Sequence, residues 1–169
     1  LGDLVADAYR NVMGADIGIA NGGGIRADLE QGDITYEDII NVHPYGNEMC
    51  VAEATGQEIL DALELGASKY PEENGGFLQV SGLTYSVKDV FVNGEPLDLN
   101  KTYTVASHNY MLKNGGDGYV MFKDNKLIKD CTMLDNEVLI DYITKELGGS
   151  VGKEYSDPYG QGRISVASA

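Results

Sequence analysis

Basic residues are scarce in this chain. Twelve lysines and arginines stand against 27 aspartates and glutamates, for a formal net charge of -15 and a sequence pI near 4.3. Polyanions reward clustered Lys and Arg, so this balance argues against nucleic-acid polymers and anionic membrane surfaces as partners. A small anionic ligand would need a locally positive spot, and only three arginines are available, Arg10, Arg26 and Arg163. Histidines are fewer still: His43 and His108 form no HxxxH, HExxH or DxH spacing, so no metal site is expected. Cys50 and Cys131 are far apart and make no CxxC pair, which removes thioredoxin-like and zinc-ribbon readings and leaves a disulfide undecided. No GxSxG elbow occurs, and Ser81 sits in a plain VSGL strand context. No run approaches the roughly 18 apolar residues of a membrane helix, and no charged-then-apolar leader opens the chain.

What is present fits one globular domain. The 169 residues are 43% hydrophobic and 23% charged, with 22 glycines against 4 prolines, a loop-rich composition that can fill a core. A single domain over 1–169 is expected. Because the helical pattern begins at Leu1 with no initiator Met, the chain is expected to be a piece of a longer protein.

Apolar spacing predicts a helix from the start to about Met13 with Gly14 as its stop, then a buried strand over 16–20. Thr35 with Asp38, and Thr55 with Glu58, are capping patterns. They open a short helix through Asn41 and a longer one ending near Gly66 or Ser68. Strands are expected at 48–54, 77–80, 83–87, 90–92 and 102–107, with Asn93-Gly94 as a type I′ turn and Leu97 starting the returning arm. Asp135 is expected to cap a last helix, and 162–166 to form a closing strand.

Two strands each run into a glycine-rich loop. The first is Asn21-Gly22-Gly23-Gly24-Ile25-Arg26 and the second Asn114-Gly115-Gly116-Asp117-Gly118-Tyr119. The first is neither GxGxxG nor GxxxxGK[ST], so a dinucleotide fingerprint or P-loop fails at the residue level. It reads either as a tight strand-to-loop turn or as a binding loop in which Gly23 and Gly24 allow close approach and Arg26 offers its planar fork of donors. Tyr45 and Tyr110 each stand beside a turn or strand end next to an Asn-containing segment. Each alone is ordinary packing, whereas together two ring faces could sandwich a flat heterocycle, with stacking of about 1–3 kcal/mol per base. Asn47 and Asp117 are candidates for ribose hydroxyls.

The segments Leu1-Gly2-Asp3-Leu4 with Asp7-Ala8, Gly14-Ala15-Asp16, Asn21 to Arg26, Gly32-Asp33-Ile34-Thr35, Pro44-Tyr45-Gly46-Asn47, Thr55-Gly56, Ser81-Gly82-Leu83, Tyr103 to Ala106 and Asn114 to Tyr119 appear in an order and spacing that closely resembles the C-terminal domain of the 5'-nucleotidase family. The resemblance runs almost end to end. It implies an α+β fold of four layers, α/β/α/β, with mixed sheets. It also implies a nucleoside-clasping role. Tyr45 and Tyr110 match the two base-stacking positions, where the best-known relatives have phenylalanine. Arg26, Asn47 and Asp117 match positions that hold ribose or orient substrate, and Asn21 matches an asparagine that in some members reaches the base.

No catalytic residue and no metal ligand is implied within the chain. A separate N-terminal metallophosphoesterase domain, with two divalent metal ions on DxH, GNHD and GHxH motifs, would lie upstream and carry the hydrolysis. The fragment alone is expected to be inactive, and the full protein to be extracellular, cell-surface or periplasmic. The alternative is a free-standing nucleoside-binding or cell-surface interaction module without catalysis.

Overall fold

The computed structural model describes residues 1–86 and 89–165. Its elements run α1 (Gly2–Met13), β1 (Ile17–Asn21), α2 (Tyr36–Val42), β2 (Met49–Thr55), α3 (Gly56–Ala67), β3 (Leu78–Ser81), β4 (Leu83–Ser86), β5 (Val90–Val92), β6 (Glu95–Pro96), β7 (Thr102–His108), α4 (Asn109–Leu112), β8 (Leu127–Lys129), α5 (Asp135–Asp141) and β9 (Ile164–Ser165). The expected boundaries hold to within a few residues, and the expected ends at Val87 and Val166 lie outside the described residues.

Local chemistry explains the starts and stops. α1 ends at Gly14, which takes the left-handed conformation (φ 68°) that favours glycine. Thr35 and Thr55 both make the reciprocal capping box read from the sequence: each hydroxyl accepts from the N–H three residues on, and Asp38 and Glu58 reach back to the threonine N–H. Asn93 and Gly94 both have positive φ, 50° and 84°, as a type I′ turn requires. One expectation is corrected and one strand is added. The last helix has Leu134, not Asp135, as its N-cap; Glu137 accepts from the Leu134 N–H, and Asp135 is turned inward as the first helical residue. β8, which carries no strong pattern of its own, adds an edge to the main sheet beside β2.

The fold is α+β with two mixed sheets. The larger has the order β3-β1-β7-β2-β8, with β1 and β7 parallel and the other pairs antiparallel. One face packs on α1, α2 and α5 through Leu4, Tyr9, Val42, Val51 and Leu139. The other packs on α3 and the smaller sheet β6-β5-β4-β9 through Ile19, Leu63, Leu78, Leu83 and Val92. β1 is buried at all five residues, as a central strand covered on both faces must be.

Two polar ties close this frame. Asp16 at the start of β1 accepts from the N–H and hydroxyl of Thr104 on β7, setting the register of the two parallel strands. Arg163, just before β9, grips Asp7 of α1 with both terminal nitrogens at 2.7 and 2.8 Å. Burial pushes the Asp7 carboxyl up, but hydrogen bonds from Arg163, Ser81 and Tyr155 outweigh it and hold the group below its ordinary value.

Candidate functional site

The topology decides where the candidate residues meet. Because β1 and β7 are parallel neighbours, their carboxyl ends lie side by side, and each delivers a glycine-rich loop there. β2 is antiparallel to β7 with Met49 opposite His108, so the segment entering β2, which carries Tyr45 and Asn47, arrives at the same end. Crevices at the carboxyl ends of strands are where sheets of this kind accept ligands.

The centre of the convergence is a hydrogen-bond chain. Asp117 accepts from the Asn21 side-chain amide at 2.7 Å and from the Tyr110 hydroxyl at 3.0 Å. A carboxylate only accepts, so Asn21 must turn its nitrogen toward Asp117 and leave its carbonyl for His108, whose Nε2 lies 3.1 Å away. That fixes His108 as the Nε2–H tautomer. Asn21 is 5% exposed and His108 2%, so the chain runs from the interior outward to Asp117 and Tyr110 at the surface.

His108 belongs to a small buried group. Tyr9 stacks on His43 at 5.9 Å and meets His108 edge-on at 6.1 Å. His43 Nδ1 is 3.3 Å from the Gly24 carbonyl and 4.0 Å from the Asp135 carboxylate. Burial pushes both histidines down to about 4, so both are neutral at pH 7. Burial pushes the Asp135 carboxyl the other way, up to about 6. The Tyr9 hydroxyl, His43 Nε2 and His108 Nδ1 have no hydrogen-bond partner among the described residues.

The loops differ in build. Gly22 and Gly23 donate to the carbonyls of Phe77 and Gly75, which pins the first loop against the segment leading into β3. In the second, Gly115, Asp117 and Gly118 all have positive φ, and Asp117 at 54° is a strained exception to the glycine rule. The Tyr110 ring lies flat on Gly116, where an added Cβ would overlap it.

The structure thus brings together Asn21, Gly24, Tyr110 and Asp117, and sets Gly23 beside them. Tyr45 is 61% exposed and Tyr110 38%, so both rings reach solvent. Asn47 lies one turn on from Tyr45, where its carbonyl accepts from the Asp135 N–H at 2.9 Å. Arg26 is exposed, and its one side-chain hydrogen bond among the described residues, to the Gly23 carbonyl at 3.3 Å, leaves most of its donors unused. Sequence reasoning missed His108 and Tyr9 as parts of the site. The available signal was the position of His108 at the end of β7, directly before Tyr110.

The two cysteines, separated by 81 positions, also meet. Their sulfurs are 3.9 Å apart as free thiols, on β2 and just after β8. With Asp130 they form a cluster of three ligand-type groups, and Lys113 lies 2.6 Å from that carboxylate and 3.6 Å from the Cys131 sulfur.

Comparison with known proteins agrees with this architecture. The chain matches the family described as "5'-nucleotidase, C-terminal domain" over residues 1–124. It is 37% identical to the trifunctional nucleotide phosphoesterase YfkN of Bacillus subtilis, covering 97% of this chain and 12% of that protein. It is 36% identical to UshA of Escherichia coli, covering 86% of this chain and 27% of the other. Among solved structures, a 5'-nucleotidase precursor from Thermus thermophilus superposes with a TM-score of 0.82 at 36% identity, over 98% of this chain and 34% of that one. The chain therefore spans about a third or less of the length of these relatives, and it belongs to the 5'-nucleotidase C-terminal domain family.

Proposed function

We propose that this chain is the substrate-holding domain of a 5'-nucleotidase-type phosphoester hydrolase, and that it clamps the base of a nucleoside or nucleotide between Tyr45 and Tyr110. The observation that carries this reading is the placing of two exposed tyrosine rings and the Asp117 carboxylate at one end of the main sheet. Ring faces reward any flat base, and a carboxylate at the ring edge accepts from sugar hydroxyls. Arg26 supplies the locally positive spot that a net charge of -15 otherwise denies an anionic ligand. Asn47 is assigned to the sugar hydroxyls, Gly23 and Gly24 to backbone contact with the ligand, and Asn21 holds Asp117.

Hydrolysis is assigned to an N-terminal metallophosphoesterase domain with two divalent ions, the partner of this domain in the longer protein. Such ions favour carboxylate, histidine and water ligands. The cluster of ligand-type residues found among the described residues here has two thiols and one carboxylate already bonded to Lys113, a poor match for two hard ions. On this reading the fragment alone is expected to be inactive. We further place the protein outside the cytoplasm, a reading supported by the relative from Thermus being termed a precursor.

Calorimetric titration with adenosine tests the clamp. Saturable binding should weaken by about 1–3 kcal/mol in Tyr45→Ala and again in Tyr110→Ala. Equal affinity in both variants and the parent chain would remove the clamp.

A further inference from the structure

The Tyr110 hydroxyl has no part in stacking, which uses only the ring face, yet it is bonded to Asp117. Each Asp117 oxygen therefore already accepts one bond before any ligand arrives, Oδ2 from the Asn21 amide and Oδ1 from the phenol. The two bonds are unequal in setting. Asn21 is buried and held from behind by His108, whereas Tyr110 stands on a four-residue helix with its ring 38% exposed. A base stacked on the ring projects its sugar past the ring edge, and that edge carries the hydroxyl and the carboxylate together.

We infer that Tyr110 is a specificity-determining latch: its hydroxyl donates to Asp117 Oδ1 as a stand-in for a ribose hydroxyl, and a sugar with a 2',3'-diol takes over that bond on binding. The inference rests on the clamp reading and deepens it. Binding is then an exchange of one O–H···carboxylate bond for another, so the sugar gains less from Asp117 than it would from an open carboxylate. Ligands lacking the diol leave the latch shut and bind by stacking alone. Asn21 and His108 are positioning residues in this scheme, since they hold Oδ2 and fix where Oδ1 points. The phenol titrates above its ordinary value because it donates to Asp117, consistent with the bond existing in the free domain.

The test compares the parent chain with Tyr110→Phe, which keeps the ring and removes one oxygen, using adenosine and 2',3'-dideoxyadenosine in parallel calorimetric titrations. Tyr110→Phe should bind adenosine about three- to tenfold more tightly, the range of one net hydrogen bond, with dideoxyadenosine affinity unchanged. An unchanged or reduced preference for adenosine over its dideoxy analogue in Tyr110→Phe overturns the latch. If both ligands still bind the parent chain and weaken in Tyr45→Ala, the clamp survives that result. Failure of the parent chain to bind either ligand removes the clamp, and the latch with it. The free-state bond has its own readout: in 13C-labelled tyrosine NMR, Asp117→Asn should bring the Tyr110 phenol titration down toward its ordinary value, and no movement also overturns the latch.

Discussion

The two glycine-rich loops look alike in sequence, but their glycines serve different needs. In the first, Gly22, Gly23 and Gly24 have no positive φ, and they are small because neighbours are close. An added Cβ would stand 3.3 Å from the Phe77 carbonyl, 3.1 Å from Gly75 and 2.8 Å from the Asn21 side chain. In the second, Gly115 and Gly118 supply left-handed backbone at φ 65° and 90°, and Gly116 gives up its side chain to seat the Tyr110 ring. The first loop is therefore a lid of backbone over buried histidines, and the second is a turn that presents a ring and a carboxylate to solvent. Replacing Gly24 by alanine should damage folding, and replacing Gly116 should damage binding.

Acid should separate them most. His43 and His108, both touching the first loop, have folded values near 4 against about 6.5 when unfolded, so the unfolded chain binds more protons between those limits. Stability is lost as pH falls through that window, by about 3 kcal/mol per histidine. Asp135 works in the opposite direction. Its folded value near 6 exceeds the unfolded one, so it favours the fold at low pH, and that contribution fades as pH rises through 6. Two histidines outweigh one aspartate, and the melting temperature should drop from pH 7 to pH 4.5. Asp135→Asn should steepen the drop by removing the counterweight. A flat or rising profile in calorimetry would show that the histidines are not held neutral.

Next in size is a crossed pair of alanines. Gly24→Ala pushes on Asn21, disturbing its bonds to His108 and Asp117 in a buried setting, and should cost about 1–3 kcal/mol of stability in urea titration. Gly116→Ala drives the Tyr110 ring off its seat and should weaken adenosine by about 1–3 kcal/mol with little change in stability. Should Gly24→Ala lose only binding, or Gly116→Ala only stability, the distinction between the loops collapses. The smallest effect is Gly115→Ala, where a left-handed residue gains a side chain at a cost of about 1–2 kcal/mol in stability. Asn should recover part of it, since asparagine tolerates that conformation.

Much of the frame was legible because its signals are local. Helix starts at Thr35 and Thr55, the stop at Gly14 and the turn at Asn93-Gly94 each follow from adjacent residues. The family likeness also groups Tyr45, Tyr110 and Asp117, whose segments reach the same end of the main sheet. What stayed hidden depends on pairing between distant positions. β8 is three residues long and becomes a strand only because β2 offers it an edge. His108 reads as one of two stray histidines until β1 and β7 set their ends together and place Asn21 3.1 Å from it. The cysteines meet for the same reason: β2 and the segment after β8 are adjacent only in the folded sheet.

The grip of Arg163 on Asp7 has a kinetic side. It joins positions 156 residues apart, among the longest loops this chain can close, and Gln161 adds a bond to Asp3 over 158. A contact of that span gains nothing until the sheet between is assembled, so it is expected to form after the rate-limiting barrier in folding. Such late contacts govern how fast a protein comes apart, not how fast it goes together. The clasp is thereby expected to lengthen the lifetime of the folded domain: its loss should leave refolding rates intact while the native state opens sooner.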